Sequence, residues 1–156
     1  MGKRLTDEQT YKAYSDLADC VIENHLIFQN KPDHRKIMIG GFRNCLFDSP
    51  STDSGLVSEK GQHLKKSELV KEHFHPRQAS AYKMFEMLDA GASKKELVDF
   101  IKMVCQVHYV TKEENIALKP YQKRGSGYNT SEEQYAAVPI NLVSYIPKKR
   151  GRKPKK

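Results

Sequence analysis

The chain has 156 residues and a formal charge of +8, enough length for one domain with a core of its own and too little to expect two ordinary ones. Its three cysteines, Cys20, Cys45 and Cys105, stand apart with no C-x-x-C pair, which argues against a disulfide framework and against a zinc knuckle. No apolar run approaches the ~20 residues that span a bilayer, so the expectation is a soluble, cytoplasmic protein in a reducing setting with no membrane partner.

Taken in chain order, Thr6 with Gln9 forms a capping-box pattern, and Tyr14, Leu17, Ala18, Val21, Ile22 and Leu26 recur behind it at helical spacing. This predicts a first helix over residues 7–23, packed on the domain or on a second copy in a homodimer. The next segment, KIMIGGFRNCLF, fits either a bent strand or a short packed turn, because its apolar density is broken by Gly40 and Gly41. Residues 48–62, rich in Ser, Asp, Gly and Pro, read as an exposed loop. A short strand, ELVKEHF, follows. After Pro76 the residues Ala81, Met84, Phe85 and Leu88 share a helical face that should stop near Gly91. Ser93 with Glu96 caps a further helix with Leu97, Phe100, Ile101, Val104 and Cys105 inward, and QVHYV reads as a strand. Thr111 with Glu114 repeats the cap, so a helix should begin at Lys112, carry Asn115 in its first turn and end by Pro120. The order is α+β, in a single domain over residues 1–146.

The charge is uneven. Residues 147–156, PKKRGRKPKK, hold seven Lys and Arg and no acid, leaving 20 basic against 19 acidic residues in the rest. A basic run on a neutral body suits a polyanion, and nucleic acid is the commonest one. The segment resembles an AT-hook, although Lys153 stands between Arg152 and Pro154. The resemblance implies a disordered arm in which Gly151 admits the backbone to a minor groove while Arg150 and Arg152 enter it, with Lys148, Lys149 and Lys153 on phosphates.

Near the middle of the chain stands EHFHPR, residues 72–77. Hydrolysis of a phosphodiester needs a base to take a proton from water and a divalent cation to stabilise charge on the phosphate and the leaving oxygen. A neutral imidazole suits the first task, and a carboxylate with an amide oxygen suits Mg²⁺. Glu72, His73 and Asn115 supply this set.

The acid-His-x-x-Pro-Arg run, followed downstream by a short strand feeding a capped helix with an Asn, resembles the HNH nucleases and their ββα-metal fold, over residues 56–119. That resemblance implies a DNA endonuclease or nicking enzyme acting on double-stranded DNA. It assigns Glu72 and Asn115 to Mg²⁺ or Mn²⁺, and His73 to the general base. Gln106 falls where the family usually carries the Asn that orients that base, and Arg77 is placed to clamp a phosphate. The chain departs from compact members by a helical insertion of about thirty residues between the motifs and by lacking zinc-binding cysteines. TKEEN and EEQYAAVPINL further resemble phage-encoded HNH-like proteins.

Two other readings compete. Strict strand alternation would put His73 and His75 on one face, a His-x-His pair that favours Zn²⁺ or Fe²⁺, with His63 or His108 as a further ligand. In the other, the protein is a non-catalytic DNA-binding protein that works through its tail, and EHFHPR is structural. Lys65 and Lys66, just upstream of the motif, read as a solvated charge pair in preference to a contact with the DNA backbone.

Overall fold

A computed structural model of the chain describes residues 5–75, 77–123, 127 and 130–146, without the side chains of Arg77 and Gln78. Pro76 and the tail residues Lys148, Lys149, Arg150, Gly151, Arg152 and Lys153 lie outside the described residues. The fold is α+β. The helices are α1 (Asp7–Phe28), α2 (Pro32–Asp48), α3 (Arg77–Asp89), α4 (Lys94–Val104), α5 (Lys112–Leu118) and α6 (Ser131–Ala137). The strands are β1 (Thr52–Ser58), β2 (Val70–His73), β3 (Gln106–Val110) and β4 (Leu142–Ser144). They form one sheet in the order β2-β3-β1-β4. The chain divides into two compact units, each made of two segments: Met1–Thr52 with His73–Gln106, and Asp53–Glu72 with Val107–Lys156.

The first unit is helical. Thr6 accepts from the Gln9 N–H while the Gln9 side chain accepts from the Thr6 N–H, a reciprocal cap that starts α1. Its apolar stripe continues through Ile22 to Phe28, five residues past the expected end. Tyr14, Ala18 and Val21 from α1 pack with Ile39, Phe42 and Leu46 from α2, Ala81, Met84 and Phe85 from α3, and Leu97, Val98, Ile101 and Val104 from α4. Tyr14, Leu17 and Val21 therefore face this chain's own core. Tyr14 is buried, and its hydroxyl donates to the Pro50 carbonyl at 2.6 Å. Burial pushes that hydroxyl up to about 12.

KIMIGGFRNCLF is neither strand nor turn but the body of α2. Pro32 supplies a preset first-turn φ, and Ile39, Phe42 and Leu46 fall at three- and four-residue spacing on the buried face. Gly40 and Gly41 each cost roughly 0.5–1 kcal/mol relative to Ala inside a helix. Among the described residues a Cβ at either would meet nothing within 4 Å, so close packing there does not require them. Arg35 on α2 makes a two-pronged contact with Asp89 at the end of α3, at 3.0 and 2.5 Å. Lys94 at the start of α4 pairs with Asp19 on α1 at 2.7 Å. Gly91, at φ 82°, closes α3 in the left-handed region that glycine tolerates.

The second unit holds the sheet. Residues 48–62, expected as loop, contain β1 and a 3₁₀ turn, Glu59–Gly61. The correction has a long-range cause: β1 pairs antiparallel with β4, matching Leu56 to Ser144, Val57 to Val143 and Ser58 to Leu142, partners that no local propensity reveals. Within β1, Gly55 takes φ 75°; its N–H is held by Asp53 at 2.8 Å and its carbonyl by the Tyr145 N–H at 2.9 Å. Val57, Leu69 and Tyr109 form the core of this unit, with Val143 and Tyr145 against it. Lys66 is exposed, and its ammonium bonds Asp53 while lying 4.7 and 5.1 Å from the Tyr109 and Tyr145 ring centroids, a solvent-accessible cation–π contact that also pairs with a carboxylate.

Candidate functional site

Strand β2 ends with Glu72 and His73, β3 lies beside it, and β3 passes through Thr111 into α5. Thr111 accepts from the Glu114 N–H at 3.2 Å, and Glu114 accepts from the Thr111 N–H at 2.9 Å. This cap fixes where α5 begins, and hence puts Asn115 in its first turn, partly buried.

Glu72 and Asn115 belong to the sheet-bearing unit, whereas His73, Gln106 and Arg77 belong to the helical one. Glu72 is half-buried, and its Oε1 accepts from the Gln122 side chain at 2.7 Å. His73 closes β2 and is half-buried; Gln106 opens β3 and is exposed; Arg77 opens α3. Because β2 stops at His73, His75 lies beyond the strand, and alternation does not extend to it. Its ring stands edge-on to Phe74 at 5.1 Å. His63 is exposed in the turn after the 3₁₀ segment.

The sequence did not anticipate a buried polar pair in the second unit, His108 with Tyr135. His108 on β3 is 3% exposed and Tyr135 on α6 is 5% exposed. The Tyr135 hydroxyl bonds His108 Nε2, with the rings edge-to-face at 5.5 Å. Burial is the main force holding the Tyr135 hydroxyl protonated far above its ordinary range, and the charges of Glu72 and Glu114 add to it. A protonated phenol donates to Nε2 when His108 carries its own proton on Nδ1. Glu114 is 4% exposed and caps the start of α5.

The second unit therefore offers a carboxylate that accepts from an amide, Glu72 with Gln122, and a buried phenol bonded to an imidazole, Tyr135 with His108. The oxygens of Glu72 and Asn115 are hard donors of the type that suits Mg²⁺ or Mn²⁺, and less so Zn²⁺. Among the described residues, no three His, Cys, Asp or Glu side chains converge as a metal cluster; a carboxylate–amide pair completed by water is a different arrangement. One signal for Tyr135 was present: Ser131, Gln134 and Tyr135 are buried at helical spacing behind a fourth capping box, Thr130 with Glu133.

No protein-family model, curated protein or solved structure matches the chain. Among the described residues, no helix is long and apolar enough to cross a membrane.

Proposed function

We propose that the protein is a small metal-dependent, HNH-like DNA endonuclease or nicking enzyme whose basic tail adds affinity for double-stranded DNA. The observation that carries this reading is the succession of β2 ending in Glu72-His73, its neighbour β3, and a capped α5 with Asn115 in its first turn. Mg²⁺ or Mn²⁺ on the oxygens of Glu72 and Asn115 supplies charge neutralisation at the departing 3′ oxygen. His73 takes the proton of the attacking water, Gln106 orients the base, and Arg77 binds a phosphate oxygen through its paired N–H donors.

A supercoiled-plasmid assay in Mg²⁺ or Mn²⁺ tests it. Wild type should nick, His73→Ala should abolish nicking, and truncation after Pro147 should weaken it, more so as salt rises. A chain that retains plasmid but nicks in no metal belongs to the second reading, a non-catalytic DNA-binding protein acting through Lys148, Lys149, Arg150, Gly151, Arg152 and Lys153. That reading is favoured by the engagement of Glu72 with Gln122, which a structural carboxylate would also make.

A further inference from the structure

Gln122 stands just past α5 and reaches back to the strand end that carries the candidate carboxylate. Its backbone is held in place: the Tyr121 and Gln122 N–H groups both donate to the Leu118 carbonyl, at 3.0 and 3.2 Å, and Leu118 is fully buried. At the other end of the same short segment the Thr111 cap sets the turn that carries Asn115. Asn115 and Gln122 are therefore carried by one anchored stretch of chain. From it the Gln122 amide donates to Glu72 Oε1 at 2.7 Å, which ties the end of β2 to the α5 segment within the sheet-bearing unit.

The kind of donor matters. Asp89 is met by Arg35, Asp19 by Lys94 and Asp53 by Lys66, cations that offset the charge of the carboxylate they hold. Such a cation at Glu72 Oε1 would oppose a divalent ion by like charge, whereas the Gln122 amide donates a hydrogen bond and brings no charge with it. As a source of stability this bond has little to give. Gln122 is exposed, so the bond replaces one to water, and it holds two long side chains in single rotamers at an entropic cost. What it supplies is direction, because a carboxylate held at one oxygen has its plane set in advance.

We propose that Gln122 is a positioning residue for Glu72: its amide presets the carboxylate for a divalent ion and so governs how tightly that ion is held. The inference rests on the reading of Glu72 as a metal ligand, and Gln122 acts only through Glu72.

Mn²⁺ binding to the full chain, followed by loss of the free-ion EPR signal, tests it apart from nicking. Gln122→Met keeps the length of the side chain and removes the donor. It should weaken Mn²⁺ binding about tenfold while its urea midpoint stays at the wild-type value, and Gln122→Ala should repeat the loss. Glu72→Gln should abolish binding. Saturating Mn²⁺ should restore plasmid nicking in Gln122→Met, since the chemistry is intact and only the hold on the ion is weakened; nicking that stays low there overturns the positioning role. Mn²⁺ binding as tight as wild type in Gln122→Met and Gln122→Ala, with Glu72→Gln deficient, overturns it while leaving Glu72 a ligand, whether or not the urea midpoint falls. Tighter binding overturns it too and makes the amide a competitor of the ion. No Mn²⁺ binding by wild type, or binding that Glu72→Gln leaves intact, removes the metal reading on which the inference rests.

Discussion

At Tyr135 a buried hydroxyl bonds buried His108. Tyr135→Phe keeps the ring but removes a hydrogen-bond partner of a nitrogen that is out of water, a loss of about 1–3 kcal/mol. Urea unfolding measures it, and a wild-type midpoint in Tyr135→Phe would show that the bond contributes nothing. Asp89 titrates in a more exposed setting. The Arg35 guanidinium is the main cause holding its carboxyl below the ordinary 3.8, opposed by partial burial and assisted by Arg35 and His25 charge. Because the folded value is the lower one, this stabilisation is present above pH 3.8 and is lost as pH falls through the folded value. The pair is half open to water, so it is worth about 0.5–1 kcal/mol. Asp89→Asn should lose that amount at neutral pH and show a shallower decline on acidification than wild type; parallel curves would remove Asp89 from the acid response. Glu72, His73 and Asn115 were legible by residue type and spacing as candidates. Tyr135 and Gln122 were not, since their bonds reach residues 27 and 50 positions away.

The elements divide by what stabilises them. Helices α1, α4 and α5 announced themselves because capping boxes are local: Thr6, Ser93 and Thr111 each meet the residue three positions on. Strand β3 was legible from its β-branched and aromatic content. Helix α2 was not, because two glycines interrupt a period that only the buried Ile39, Phe42 and Leu46 make evident. Strand β1, with Ser, Asp and Gly, has little strand propensity and is held by β4 across the sheet. If α5 depends on its cap as strongly as its short length suggests, Thr111→Ala should cost about 1 kcal/mol. The same substitution should lower the metal dependence of nicking if Asn115 is a ligand, since the cap sets the turn that carries it. An unchanged urea midpoint would sink the first part of this expectation, and unchanged metal titration the second.

For the whole molecule, the two compact units are each closed by segments distant in sequence, and charge is concentrated in residues 147–156. Removing those residues takes away seven positive charges and no negative ones. DNA affinity after truncation past Pro147 should fall and depend less steeply on salt, by up to about 0.9 in slope for each phosphate that the tail neutralises. An unchanged slope, measured by anisotropy between low and physiological salt, would separate the tail from binding. By itself the sequence determined the α+β class, most helix starts, the inward stripes of α3 and α4 and the residue types able to act on a phosphodiester, because caps, periodicity and side-chain chemistry are properties of short stretches. Only the tertiary structure decided that β1 exists, that Lys66 lies over Tyr109 and Tyr145, and that buried Tyr135 bonds buried His108. Each of these joins residues far apart in the chain, a meeting that no local pattern encodes.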